Sequence, residues 1–123
     1  MKRVLIVDDA ATVRMYHRGI LESAGYAVEE AWNGIEALEK ALEAPFDLYV
    51  VDINMPKLDG FCFLRELRQQ DITQSTAIMI STEAAAGDEV TAYRSGANSY
   101  LIKPVRPLQL LSYARLMVGE ANR

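Results

Sequence analysis

The sequence predicts one α/β domain in which five β-strands and five α-helices alternate. Short apolar runs of strand length alternate with segments whose apolar residues recur at helical spacing, without an intervening linker. The strand-like runs are apolar throughout, which indicates burial on both faces and therefore a parallel sheet covered by helices above and below. With 123 residues, 50% of them hydrophobic, the chain is long enough for one core and too short for two.

The five predicted strands are short and mostly β-branched or large apolar in content, the second being the weakest. They are Val4–Val7, Ala27–Ala31, Leu48–Val51, Ala77–Ile80 and Tyr100–Ile102.

The five predicted helices lie between and after these strands. The first three carry apolar stripes at Val13, Tyr16, Ile20, Leu21 and Ala24, at Ile35, Leu38, Ala41 and Leu42, and at Phe61, Leu64 and Leu67. Residues 90–94 and 108–118 supply the fourth and fifth helices. Asn33 and Asp59 are predicted helix N-caps.

Charge and cysteine content exclude several classes of protein. The net charge of −4 removes the usual electrostatic drive for binding nucleic acid or anionic membranes, so neither is expected as a partner. The apolar run after Lys2 and Arg3 meets Asp8 too soon for a secretory signal. Cys62 is the only cysteine and cannot form an intrachain disulfide, which favours a reducing compartment and predicts a cytoplasmic protein.

Polar side chains follow four of the predicted strands, at the point where each strand ends. The carboxyl ends of parallel strands lie along one edge of a sheet, where ligands bind, so these groups are expected to converge. They are Asp8 and Asp9, Asp52, Ser81 with Thr82, and Lys103.

Taken singly, each of these residues has an ordinary structural explanation as a cap, a turn residue or a surface lysine. Together they are harder to explain, because two carboxylates at ~4 Å repel by about 4 kcal/mol at an effective dielectric near 20. A hard divalent cation would offset that repulsion, and Mg²⁺ commonly takes one or two carboxylates plus waters and a phosphate oxygen. The sequence therefore predicts Mg²⁺-dependent phosphate chemistry.

Four motifs resemble those of the receiver domains of two-component response regulators, and the resemblance spans essentially the whole chain. They are VDDAAT at 7–12, VDINMPKLDG at 51–60, ISTEA at 80–84 and YLIKP at 100–104. The resemblance implies a flavodoxin-like, doubly wound sheet of five parallel strands in the order 2-1-3-4-5.

The resemblance also implies roles for the strand-end residues. Asp52 would be the phosphoacceptor, taking a phosphoryl group from a phosphohistidine. Asp9 and Asp52 would bind Mg²⁺ directly with the backbone carbonyl of Asn54, and Asp8 would act through a metal-bound water. Lys103 would pair with Asp52 and then with a phosphoryl oxygen.

Further residues are assigned by the same resemblance. Ser81 and Tyr100 would form the switch that responds to the phosphoryl group, while Asn54 and Glu83 would tune its lifetime. The Lys103–Pro104 peptide bond is expected to be cis. His17, Trp32 and Cys62 are interpreted as packing residues, because no site partners accompany them in the sequence.

Two alternatives remain open. An aspartyl-phosphate phosphohydrolase of the haloacid-dehalogenase type would resemble D-x-D, but Asn54 stands at the second position. A pseudo-receiver would be an interaction module that is not phosphorylated, which the presence of Asp8, Asp9, Asp52 and Lys103 disfavours. The preferred interpretation is a phosphoacceptor rather than an enzyme.

Residues 1–123 are expected to form a stand-alone receiver domain, without an output domain, similar to the chemotaxis regulator. Its expected partners are a sensor histidine kinase or histidine phosphotransfer protein, a downstream protein, and a second copy of the chain on activation. In the fifth helix, an inward apolar arc is predicted at Pro107, Leu110, Leu111, Ala114, Met117 and Val118. The partner face is predicted from residues outside the arc and their neighbours, namely Tyr93, Tyr100, Tyr113 and Leu116.

Overall fold

The computed structural model describes residues 1–82 and 87–119, in which strands and helices alternate throughout. The strands are β1 Arg3–Val7, β2 Ala27–Ala31, β3 Leu48–Asp52, β4 Thr76–Ser81 and β5 Ser99–Ile102. The helices are α1 Ala11–Ser23, α2 Gly34–Glu43, α3 Gly60–Gln69, α4 Asp88–Ser95 and α5 Pro107–Met117.

The strands form one parallel sheet in the order β2-β1-β3-β4-β5. The predicted fold class, including the flavodoxin-like strand order, is therefore confirmed. The chain reverses its direction of winding between β1 and β3, which places the ends of these two central strands side by side. Ligands of such folds bind at that switch point.

Two apolar layers cover the sheet. Residues of α2, α3 and α4, among them Ala37, Phe63 and Ala92, pack on one face. Leu21 of α1 and Leu110 of α5 pack on the other. The central strand β3 is buried along its whole length, which explains its uninterrupted apolar sequence up to Asp52.

Both predicted N-caps are confirmed. The side chain of Asn33 accepts a hydrogen bond from the backbone N–H of Glu36 at 2.8 Å, and that of Asp59 accepts one from Cys62 at 2.9 Å. Each cap satisfies an N–H group that the first helical turn leaves unpaired. These caps fix the starts of α2 and α3 beside the site edge.

The apolar stripe predicted for α1 was wrong at one position. Tyr16 is 49% exposed, whereas its neighbour His17 is only 3% exposed. The inward positions are Val13, His17 and Leu21, each four residues apart, so the polar histidine occupies a core position on the helix. The prediction placed Tyr16 in the core because it is more hydrophobic than His17, but His17 is the buried residue.

Two residues of the stripe predicted for α2 also face outward. Ile35 and Leu42 are about half exposed, while Ala37 and Ala41 are fully buried. The helix therefore approaches the sheet through small side chains, which the larger apolar residues flank.

The arc predicted for α5 needs two corrections. Pro107 is exposed, and it is the first residue of the helix, where its fixed φ and missing N–H are well tolerated. Tyr113 is partly buried and packs against the core layer that contains Leu110 and Ala114, so it does not lie outside the arc. Leu116 is exposed, as predicted.

No helix among the described residues is long and apolar enough to cross a membrane.

Candidate functional site

Three carboxylates meet where the central strands end. Asp8 follows β1 directly, Asp9 comes next, and Asp52 is the last residue of β3. One carboxylate oxygen from each of the three lies within 4.8 Å of the others. Asp8 and Asp52 are buried, whereas Asp9 is exposed at the mouth of the cluster. The predicted convergence is therefore present.

Asp8 is held rigidly by its backbone and its side chain. Its backbone N–H donates to the carbonyl of Ala31 at 3.0 Å, and its carbonyl accepts a hydrogen bond from Arg14 Nη1 at 2.7 Å. Its Oδ1 accepts from the backbone N–H of Ala10 at 2.9 Å. These contacts orient the second oxygen, Oδ2, towards the middle of the cluster.

Among the described residues, Lys103 is the one cationic side chain that forms an ion pair with the clustered aspartates. Its Nζ lies 2.8 Å from Asp8 Oδ2, with hydrogen-bond geometry, and 3.4 Å from Asp52 Oδ1. Burial opposes the charge on this ammonium, but the hydrogen bond to Asp8 and the charges of both carboxylates outweigh it and raise the pKa of Lys103. In this state the lysine is bound more closely to Asp8 than to Asp52.

Asp52 is the least satisfied group of the cluster. Its side chain is 5% exposed, and its Oδ1 is buried without a hydrogen-bond partner among the described residues. Burial and the charge of Asp8 raise its pKa from 3.8 to about 6, although Lys103 acts in the opposite direction. Its ionised form is therefore poorly stabilised without a further cation.

The donor set fits a hard divalent cation. Three carboxylates against one ammonium leave two uncompensated negative charges when all are ionised. Asp52 Oδ1 has no hydrogen-bond partner among the described residues, which leaves it available to a metal ion, and oxygen-only donors suit Mg²⁺. Asp8, Asp9 and Asp52 could hold such an ion.

The loop between β3 and α3 forms one wall of the site. A Cβ atom on Gly60 would overlap the carbonyl oxygen of Asp52, and one on Gly34 would overlap that of Leu58. Glycine at these positions lets the loop fold closely against the strand end and α2. Lys57 and Leu58 adopt left-handed φ angles of 51° and 64° within it. Asn54, two residues after Asp52, is exposed on this loop.

The remaining assigned residues lie along β4 and β5. Ser81 is fully buried at the end of β4, and its carbonyl accepts the backbone N–H of Lys103 at 2.8 Å. Tyr100 is partly buried against the core layer under α4. The Lys103–Pro104 peptide is cis, as the resemblance implied. Glu83 lies outside the described residues.

Sequence reasoning missed the support behind Asp8. Arg14 also donates to Glu30 Oε1 at 2.9 Å, and its guanidinium lies 6.0 Å from the centre of the Trp32 ring. The sequence signal was an arginine six residues after a strand-end aspartate. This signal is weak, because an arginine at that spacing can equally form surface ion pairs or face solvent. The hydrogen bond from the Arg14 side chain to the Asp8 carbonyl depends on how α1 packs on β2. Residue spacing in the sequence does not specify that packing.

Comparisons with known proteins agree with this geometry. Residues 4–115 match the family described as response regulator receiver domain. The chain is 40% identical over 110 residues to the chemotaxis protein CheY of Bacillus subtilis, covering 89% of this chain and 91% of that one. It is 33% identical over 121 residues to the transcriptional regulatory protein ResD of the same organism, covering 98% of this chain but only 50% of ResD.

A solved structure extends the comparison to the metal. The receiver domain of the sensor histidine kinase PA1611 from Pseudomonas aeruginosa, described with a magnesium ion coordinated in its active site cleft, superposes with a TM-score of 0.89. It is 28% identical, and the match covers 96% of this chain and 98% of that one.

Proposed function

Because the chain belongs to the response regulator receiver domain family, whose members are phosphoacceptors in signalling, we propose that Asp52 is its phosphoacceptor. The observation that carries the assignment concerns Asp52 Oδ1 at the end of the central strand. This oxygen is buried without a hydrogen-bond partner among the described residues and lies 3.4 Å from Lys103 Nζ. Asp8 is buried too, but both of its oxygens already accept hydrogen bonds.

The proposed reaction is a phosphoryl transfer from a phosphohistidine. An ionised oxygen of Asp52 attacks phosphorus, the P–N bond to the donor imidazole breaks, and an acyl phosphate remains on Asp52. Water attack on phosphorus later releases inorganic phosphate and restores the carboxylate. Because the pKa of Asp52 is raised, its carboxylate takes up a proton more readily than usual. A bound cation would favour the ionised form, which is the form that attacks phosphorus.

The neighbouring side chains are proposed to neutralise and sense the new charge. Lys103 Nζ would turn from Asp8 towards a phosphoryl oxygen, and the Ser81 hydroxyl would donate to another. Tyr100 would respond to the movement of Ser81 across the adjacent strands. Asn54 and Glu83 are proposed to set how readily water reaches the acyl phosphate.

Mg²⁺ is the proposed cofactor, held by Asp9, Asp52 and the Asn54 carbonyl, with Asp8 acting through a water. When bound, it would supply charge neutralisation for the incoming phosphoryl oxygens. Support comes from the three clustered carboxylates and from the magnesium described for the similar PA1611 receiver domain.

A phosphodonor assay tests this function. Purified protein is incubated with acetyl phosphate and Mg²⁺, and both the modified protein and the released phosphate are measured over time. A receiver should approach one phosphoryl group per chain with slow phosphate release. Rapid, sustained phosphate release would instead indicate a phosphohydrolase, and no modification would indicate a pseudo-receiver.

The upstream partner is proposed to be a sensor histidine kinase or a histidine phosphotransfer protein. The chain is proposed to act as a receiver domain over residues 1–123, in the cytoplasm, without binding nucleic acid or membrane directly. The match to 91% of CheY supports a chemotaxis-like role, whereas the match to half of ResD supports receiver chemistry alone.

The output is proposed to pass through the surface formed by α4, β5 and α5. Tyr93 of α4 and Leu116 of α5 are exposed there. Tyr100 of β5 is partly buried against the core. Tyr113 now serves as a support beneath this surface because it packs on the core. The surface is proposed to contact a downstream protein or a second copy of the chain after phosphorylation.

Single substitutions test the output surface. Leu116→Glu and Tyr93→Glu should abolish the association that the phosphoryl analogue beryllofluoride induces, as followed by sedimentation or by capture on immobilised protein. Both variants should still be labelled on Asp52. Ser112→Glu, at another exposed position of α5, is the matched control and should associate normally. Undiminished association of both test variants would refute this surface.

A further inference from the structure

A cavity lies beside the acidic cluster, between α1 and the segment that follows β5. Its volume is about 360 Å³. The lining residues include Val13, Tyr16 and His17 from α1, and Lys103, Pro104 and Val105 from the other wall. None of the three carboxylates lines it, so the cavity is separate from the proposed metal site although the two share Lys103.

His17 is the unusual member of this lining. Its side chain is 3% exposed, and no described residue gives or takes a hydrogen bond with its imidazole. Its ring centre lies 5.6 Å from that of its neighbour Tyr16. Neither ring nitrogen is among the described buried atoms that lack a hydrogen-bond partner, so the nitrogens reach open space. Since His17 lines the cavity, that space is available to a ligand that can hydrogen-bond with the imidazole.

The chemistry of the walls selects an uncharged ligand. An anion would be repelled by the three carboxylates behind Lys103, and a cation would be repelled by the ammonium of Lys103 itself. Burial lowers the pKa of His17, despite the opposing charge of Asp8, so the imidazole is neutral at pH 7 and suits a neutral hydrogen-bonding group. No other titratable group acts on it strongly, apart from Lys103.

The shape and surface of the walls favour an aromatic ring. Val13, Pro104 and Val105 present apolar surface, and the ring of Tyr16 lies at the rim. A planar six-membered ring fits a cavity of this volume, and apolar cavities with a few polar groups are typical small-molecule sites. Thr82, which is exposed, also lines the cavity.

We propose that this cavity binds an uncharged aromatic small molecule carrying one hydrogen-bonding group, which is received by His17 and which slows phosphorylation of Asp52. Slowing is expected because the ligand packs against the side chain of Lys103, whose Nζ must leave Asp8, at 2.8 Å, to reach a phosphoryl group. The slowing rests on the proposed function, whereas the binding does not.

Binding is tested with phenol, followed through amide and methyl chemical shifts in nuclear magnetic resonance spectra. Phenol should saturate in the millimolar range and shift signals of Val13, Tyr16 and Val105. Toluene, which lacks the hydroxyl, and benzoate, which is charged, should each bind at least about five-fold more weakly. Equal binding of all three, or shifts that do not saturate, would overturn the proposal.

Variants locate the site. Val13→Trp, which fills the cavity, and His17→Phe, which removes the imidazole nitrogens, should each weaken phenol binding about ten-fold. Met15→Ala is the matched control, because Met15 is highly exposed on the same helix and does not line the cavity. Thermal unfolding checks that each variant is folded, and unchanged phenol affinity in folded His17→Phe would contradict the role of His17.

The regulatory half is tested separately. Saturating phenol should slow acetyl phosphate labelling of the wild type about three-fold or more and leave labelling of Val13→Trp unchanged. Asp52→Asn should bind phenol normally, so the binding result stands even if Asp52 proves not to be the phosphoacceptor. Phenol binding without slower labelling would overturn the regulatory half. Phenol affinity that falls as protein concentration rises would assign the cavity to a second copy of the chain instead.

Discussion

Two charged side chains lie at opposite edges of the sheet, and they differ in how their charge is satisfied. Arg68 lies at the amino-end edge, where it donates to the carbonyls of Gly96 and Ser75 and to the side chains of Gln74 and Asn98. Burial lowers its pKa, but every partner is a neutral acceptor. Asp52, at the carboxyl-end edge, has a buried oxygen without a hydrogen bond and two carboxylates for neighbours.

This difference is the one expected between a structural site and a reactive one. A fully hydrogen-bonded cation fastens the loops before β4 and β5 and needs nothing further. An incompletely hydrogen-bonded carboxylate in a cluster of like charge lowers the stability of the folded chain. Such a group is typical of a site where a bound ligand reduces the repulsion. The following predictions test this contrast, beginning with the largest expected effect.

The largest effect is expected for Asp52→Asn. The amide has no carboxylate to attack phosphorus, so labelling by acetyl phosphate should fall more than about 100-fold. Its stability in metal-free buffer at pH 7 should equal or exceed that of the wild type, because one of three repelling charges is gone. Denaturant unfolding measures the second effect. A marked loss of stability would mean that Asp52 has a structural role like that of Arg68.

Arg68→Met is expected to give the opposite pattern. Removing the guanidinium leaves several carbonyl and amide acceptors unpaired, so the free energy of unfolding should fall by about 2–4 kcal/mol. Labelling of Asp52, measured below the unfolding temperature, should keep its wild-type rate. A variant that is stable but poorly labelled would show that the two edges of the sheet are functionally coupled.

Mg²⁺ should stabilise the folded chain by binding the acidic cluster. At a concentration ten times its dissociation constant, the gain in unfolding free energy is about 1.4 kcal/mol. Asp9→Asn should remove most of this gain, whereas Arg68→Met should retain it. The measurement is the melting temperature with and without millimolar Mg²⁺, with Ca²⁺ as a second cation. An Asp9→Asn variant that responds fully to Mg²⁺ would exclude Asp9 as a ligand.

The smallest effect concerns pH. The pKa of Asp52 is about 6 in the folded protein and ordinarily 3.8, so the folded state takes up a proton between these values that the unfolded state does not. Asp52 should therefore add stability as the pH falls from 7 to 5, by about 1 kcal/mol without metal. Subtracting the same titration of Asp52→Asn isolates this contribution. A wild type that loses stability relative to Asp52→Asn over this range would reverse the sign of the shift.

Much of the fold was predictable from the sequence because the signals were local and repeated. The uninterrupted apolar strands required burial on both faces, and Asn33 and Asp59 marked the starts of two helices in the predicted way. The strand ends then placed Asp8, Asp9, Asp52 and Lys103 at one edge. The strand order came from the resemblance, since periodicity does not specify which strands are neighbours.

The errors share a physical cause. Hydrophobicity chose Tyr16 over His17, and helical spacing placed Tyr113 outside its arc, but burial depends on the direction in which each helix faces the sheet. The preference of Lys103 for Asp8 and the support from Arg14 were likewise invisible, since both depend on distances between side chains from separate elements. Sequence pattern identified the groups that meet at the strand ends, and packing decided how they pair.

The position of the phosphoryl group tests the central claim most directly. Protein treated with acetyl phosphate and Mg²⁺ is digested, and mass spectrometry locates the modified residue among Asp8, Asp9 and Asp52. The account predicts one phosphoryl group, on Asp52, because among the described residues only its Oδ1 is buried in the cluster without a hydrogen-bond partner. A phosphoryl group on Asp8 or Asp9, or none at all in folded protein, would contradict it.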